Sequence, residues 1–127
     1  MEIALDTNAL SSFAEGDENL GAVLMPFRSL VLPAPVLGEY RYGLLGSRKQ
    51  SRLSKWLDEL LGEVRVLEIK ERTTQVYALV RHQLRTAGTP IPENDVWIAA
   101  LAIEHGLPLV SRDKHFKVVK GLELLGW

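Results

Sequence analysis

Apolar residues in this sequence gather in short runs, and each run stops at residues that turn the chain or start a helix. Ile3–Leu5 stops at Asp6-Thr7-Asn8, and Leu30–Leu32 stops at Pro33. Val64–Ile69 precedes Glu71, Leu109–Val110 runs into Ser111-Arg112-Asp113, and Leu122–Leu125 ends the series. Their apolar residues do not alternate cleanly with polar ones, so they read as strands buried on both faces. Helical stretches separate them. Val36, Tyr40 and Leu44 recur at helical spacing within 36–45, as do Leu53, Trp56, Leu57, Leu60 and Leu61 within 50–61. Shorter helices are expected over 9–15 and 20–27. A long one is expected over 71–87, with Val76, Leu79, Val80 and Leu84 facing the core. The helix over 95–105 carries apolar residues on nearly every face and is expected to be buried almost all round. Asn8 and Asn94 read as N-caps, Pro35 as a first-turn proline, and Gly62, Gly88 and Gly106 as stops.

Buried strands alternating with helices specify an α/β fold, a parallel sheet covered by helices on both faces. Its ligand site belongs at the carboxyl ends of the strands, near the point where the strand order reverses. At 127 residues the expectation is one domain over 1–127. There is no cysteine, which removes disulfides, thiolate catalysis and cysteine-ligated zinc. The start, Met1-Glu2-Ile3-Ala4-Leu5-Asp6, has no basic segment, and Asp6 interrupts the apolar run, so no signal peptide is expected. No apolar run approaches the roughly 18 residues of a membrane-spanning helix. The cytoplasm is the expected location.

The net charge of −1 gives no general attraction for polyanions. Charge is uneven, however: between Tyr40 and Leu57 lie Arg41, Arg48, Lys49, Arg52 and Lys55 and no acid. That stripe is either a solvated helix face or a set of phosphate contacts.

On the expected frame Asp6 closes the first strand, Asp113 follows the strand at Leu109–Val110, Asp95 opens the buried helix, and Glu39 lies in the first turns after the second strand. All four positions fall at one edge of a parallel sheet. Each acid also has a structural reading: turn chemistry for Asp6, the helix dipole for Asp95, a solvated helix position for Glu39, a cap for Asp113. Their shared placement is what points to chemistry. Clustered carboxylates repel, and hard divalent cations relieve the repulsion. Oxygen donors suit Mg²⁺ or Mn²⁺ better than zinc. An ion so held suits in-line displacement at phosphorus, as in phosphodiester cleavage. His82 and His105 read as surface residues. His115, two positions after Asp113, is a candidate substrate contact.

Other α/β functions fit poorly. A receiver domain needs an acidic pair after strand one and an aspartate after strand three, where this chain has Glu68-Ile69-Lys70. A haloacid-dehalogenase-like phosphatase needs Asp-x-Asp, and position 8 is Asn. Gly43-Leu44-Leu45-Gly46-Ser47 lacks the lysine and spacing of a phosphate-binding loop.

Leu5-Asp6-Thr7-Asn8, Gly38-Glu39-Tyr40-Arg41-Tyr42-Gly43, Ile91-Pro92-Glu93-Asn94-Asp95-Val96-Trp97-Ile98-Ala99-Ala100 and Ser111-Arg112-Asp113-Lys114-His115-Phe116 resemble, in order and along the whole chain, the motifs of PIN-domain proteins. The likeness is greatest to VapC-type toxins of bacterial toxin–antitoxin pairs. The resemblance implies a three-layer α/β/α sandwich around a parallel sheet of about five strands, Mg²⁺- or Mn²⁺-dependent endoribonuclease activity, a homodimer, and a cognate antitoxin whose tail occupies the acidic site. By position it makes Asp6, Glu39, Asp95 and Asp113 the catalytic, metal-holding quartet. Thr7, Asn94 and Ser111 become supporting residues, with Ser at 111 where Thr is frequent. Thr7 and Asn94 would hold carboxylates or cap helices. Arg41, Arg48, Lys49, Arg52 and His115 become candidate RNA contacts. The competing reading is a non-catalytic PIN-like module that binds RNA or a protein.

Overall fold

The computed structural model describes Met1–Trp127. Its centre is a five-stranded sheet, parallel throughout, in the order β3-β2-β1-β4-β5. The strands are β1 (Glu2–Leu5), β2 (Ser29–Pro33), β3 (Arg65–Leu67), β4 (Leu109–Val110) and β5 (Leu124–Leu125). The helices are α1 (Thr7–Ala14), α2 (Glu18–Leu24), α3 (Ala34–Leu45), α4 (Gln50–Leu61), α5 (Glu71–Thr86) and α6 (Glu93–Glu104), with a 3₁₀ helix at Lys114–Val118. The expected α/β/α sandwich is therefore present. β1 and β4 are neighbours although two strands and six helices separate their places in the sequence: Leu5 pairs with Val110, and the Asp6 N–H donates to the Val110 carbonyl. The chain runs from β1 outward to β3, then crosses back to β4 and outward again, so the strand order reverses between β1 and β4. That is the expected place for a ligand site.

Why the core sits here follows from the runs. Ile3, Ala4, Leu5, Val31, Leu32, Leu109 and Val110 are fully buried because helices cover both faces. The face-to-face apolar content of α6 has the expected consequence: Val96 and every residue from Ile98 to Ala102 are buried. No helix is long and apolar enough to cross a membrane.

Several boundaries differ from the sequence reading. α1 starts at Thr7 with Asp6 as its N-cap residue, so Asn8 is inside the helix rather than capping it. α2 begins earlier than expected because the Asp17 carboxylate accepts the Leu20 N–H at 3.0 Å, a cap that periodicity did not reveal. α6 starts at Glu93 after Pro92, so Asn94 is not its N-cap. Leu79 does not face the core: it is 71% exposed, and Thr73, Val80 and Leu84 form the buried line of α5 instead. β3 and β5 are shorter than their apolar runs. Tyr42 is 80% exposed, whereas Trp56 packs edge-on against Phe13 beside the core.

Candidate active site

β1 delivers Asp6 to the carboxyl edge of the sheet, and its partner β4 delivers Ser111 to the same place. Asp6 is only 4% exposed. Its Oδ2 accepts the Ser111 hydroxyl at 2.5 Å and the Asn8 amide at 3.3 Å. Ser111 also accepts, taking the Asp113 N–H at 2.9 Å, so one hydroxyl ties both acids to one spot. The Asn8 Oδ1 accepts the Arg112 N–H at 3.2 Å and completes a clasp between α1 and the segment after β4. Sequence reasoning took Asn8 for a helix cap. Its place two residues after a strand-closing aspartate was the signal that it faces the site.

Asp95 comes from the first turn of α6 and is 6% exposed. The buried line of α6 anchors it, so its position is set by core packing. Asp113 caps the 3₁₀ helix, accepting the His115 N–H at 2.9 Å. That turn folds His115 back over the acids, its Nδ1 3.1 Å from Asp95 Oδ2 and 3.0 Å from Asp113 Oδ1. Donor atoms of Asp95, Asp113 and His115 all lie within 4.8 Å of one another. His115 thus sits inside the acidic cluster, where sequence reasoning expected only a substrate contact.

Glu39 stands on α3 across from this trio. The Asn94 amide donates to its Oε1 at 2.8 Å, so Asn94 holds a carboxylate and the capping alternative falls. Thr7 behaves differently. Its Oγ1 is buried with no hydrogen-bond partner, so the hydroxyl neither supports a carboxylate nor caps α1, and Thr7 supports Asp6 through its backbone alone. A cleft of about 260 Å³ opens beside Thr7 and Glu39 and runs between α1, α3 and α4, with the unpartnered Tyr40 hydroxyl in its wall.

The electrostatics follow from burial. Desolvation pushes the Asp6 carboxyl above its ordinary range; the Ser111 hydrogen bond opposes this, and the Glu39 and Asp113 charges add to it. Asp95 is pushed up to about 6, again chiefly by desolvation, with the His115 hydrogen bond opposing and Asp113, Asp6 and Glu39 adding. The charges of Glu39 and Asp113 act on both buried acids, and that of Asp6 on Asp95, so carboxylates far apart in sequence meet at one site. A cation is the natural complement to such a site, and a donor set of carboxylates and one imidazole fits a divalent metal ion.

The basic stripe lies on α3, α4 and the connection between them. Arg41 on α3, Arg48 and Lys49 in the connection, and Arg52 and Lys55 on α4 are all exposed. None takes part in an ion pair. A second basic group borders Asp113 itself: Arg112, Lys114 and Lys117 line a hollow with Trp127, whose ring lies 4.4 Å beneath the Arg112 guanidinium.

Comparison with known proteins places this architecture. The family model described as "PIN domain" matches residues 3–122. The VapC ribonuclease Y4jK of Sinorhizobium fredii is 32% identical over 133 residues, covering 97% of this chain and 95% of that protein. Ribonuclease VapC2 of Rickettsia felis is 29% identical over 128 residues, covering 97% and 96%. Among solved structures, VapBC2 from Rickettsia felis bound to a DNA fragment from their promoter superposes with a TM-score of 0.89 at 26% identity, covering 100% of this chain and 99% of that one.

Proposed function

Because the chain belongs to the PIN-domain family and, within it, to the VapC-type proteins, we propose that it is a metal-dependent endoribonuclease and the toxin of a toxin–antitoxin pair. The observation that carries this reading is the convergence of the buried Asp6 and Asp95 and the partly buried Asp113 at one sheet edge, with Glu39 held by Asn94. Asp6 and Asp95, both raised chiefly by desolvation and further by neighbouring carboxylates, are held at a cost that a bound cation offsets. Asp6, Asp95 and Asp113 would hold Mg²⁺ or Mn²⁺, with Glu39 as a further ligand or as the group that orients the attacking water. Such an ion supplies charge stabilisation at the phosphodiester and an activated water.

The chain's own residues do the rest. Ser111 and Asn8 fix the Asp6 carboxylate, so its free oxygen keeps one direction. Asn94 keeps Glu39 from swinging into solvent. Asn94→Ala is expected to lower metal affinity by about 10–100-fold, the usual range for a supporting residue, with little change in melting temperature because Asn94 is exposed. Metal titration beside a thermal melt checks both parts.

RNA contacts fall in this reading to Arg41, Arg48, Lys49 and Arg52. Replacing Arg48, Lys49 and Arg52 together by Gln should weaken RNA binding and flatten its dependence on salt. If all three touch phosphates of a single strand, the log–log slope falls by about 2. An unchanged slope would return the stripe to a solvated face.

The relative from Rickettsia felis was crystallised as VapBC2, a name that pairs toxin with antitoxin. By analogy an antitoxin is proposed as this chain's partner, with a second copy of the chain as another; Tyr42, Leu45 and Leu79 supply exposed apolar surface for such contacts. The location proposed is the cytoplasm. Induced expression of the wild-type chain in a bacterial host tests the toxin role. Growth should stop with wild type and continue with Asp6→Asn made to the same level. Continued growth with both would count against a toxin.

A further inference from the structure

His115 is held in a place where a half-exposed histidine has no structural need to be. Its side chain is 51% exposed, and solvent could satisfy it, yet its Nδ1 is directed between two carboxylates at 3.0 and 3.1 Å. The direction is built in. Phe116, 1% exposed, pins the 3₁₀ helix to the core, and the Asp113 cap on the His115 N–H sets where the imidazole projects. Donor atoms about 2.1 Å from a six-coordinate ion lie roughly 3 Å apart along the edges of the octahedron. The Nδ1–Asp95 and Nδ1–Asp113 separations match that spacing, and the three donor atoms form a compact group. Asp6 and Glu39 are not part of that group, so the most compact donor set of the site contains one nitrogen and two carboxylates.

We propose that His115 is a metal ligand of this site, through Nδ1, beside Asp95 and Asp113. This inference rests on the metal-dependent reading above and refines it. A nitrogen donor in an otherwise oxygen site moves preference away from Mg²⁺, which favours oxygen and keeps its waters, toward Mn²⁺. It also gives His115 a role distinct from contact with RNA. The other two histidines, His82 and His105, are exposed on α5 and just after α6, away from the acids.

The test is pulsed electron paramagnetic resonance of Mn²⁺ bound to the purified full-length chain, with Mn²⁺ and Mg²⁺ affinities measured in parallel. Wild type should show nitrogen coupling from one directly bound imidazole. His115→Ala should lose the coupling and bind Mn²⁺ at least about tenfold more weakly, with a smaller loss for Mg²⁺. His115→Asp, which restores an oxygen donor, should recover affinity without the coupling and shift preference toward Mg²⁺. Bound Mn²⁺ without nitrogen coupling in wild type, or coupling that survives in His115→Ala, overturns the ligand assignment and leaves the metal reading standing. Failure of the folded wild type to bind either ion overturns the metal reading itself.

Discussion

Asp95→Asn should make the metal-free protein more stable at neutral pH while abolishing RNA cleavage. The sign follows from the site. Burial raises the folded-state pKa of Asp95 from an ordinary 3.8 to about 6. The folded chain therefore binds this proton more tightly than the unfolded chain. Its contribution to stability is fully present below the unfolded value, fades as pH rises between about 4 and 6, and is absent above. At pH 7 the ionised carboxylate opposes folding by about 1–3 kcal/mol, given 1.36 kcal/mol per pKa unit. An amide of the same shape removes that opposition, so the variant should melt several degrees higher than wild type at pH 7, with the gap closing toward pH 4. Added Mg²⁺ or Mn²⁺ should raise the wild-type melting temperature and leave the variant's almost unmoved. Cleavage should fall by about 10³ or more, equal to roughly 4 kcal/mol of barrier. A variant that melts lower than wild type at pH 7 without metal would show that Asp95 is structural in the ordinary sense.

Phe116→Ala tests how the fold holds the site. The ring is 1% exposed and is the largest fully buried side chain. Removing it should cost about 3–5 kcal/mol, a loss of roughly 10–20 °C in melting temperature. The ring also anchors the short helix that carries Asp113 as its cap and His115 as its second residue. Metal affinity should therefore fall in the fraction that remains folded, measured well below the melting midpoint. A loss of stability with unchanged metal affinity would mean that Ser111 and the Asp113 cap place those groups without help from the core.

The sheet and the meeting of acids were legible in the sequence because both follow from the same signal. Short buried runs imply parallel strands, and strands of that kind end at a common edge. Asp6, Asp95 and Asp113 could be placed from that rule alone. What was not legible depends on side-chain direction. Asn94 looks like a cap because asparagine often precedes a helix, but Pro92 sets the start of α6 and frees the amide for Glu39. Asn8 looks like a cap for the same reason and is a clasp between α1 and the β4 edge. The inward turn of His115 needs the cap geometry of Asp113 and the burial of Phe116 together, and no spacing rule contains both. Leu79 shows the converse: helical period put it on the core face, and the packing of α5 against α6 selected the Thr73–Val80–Leu84 line.

Cleavage of a pool of structured RNAs by the purified chain, freed of any partner, tests the central claim most directly. Mg²⁺, Mn²⁺ and EDTA are compared, with Asp6→Asn run alongside. The account predicts discrete products with either ion, faster with Mn²⁺, none with EDTA and none from the variant. Products that persist in EDTA, or that Asp6→Asn makes as fast as wild type, would contradict it.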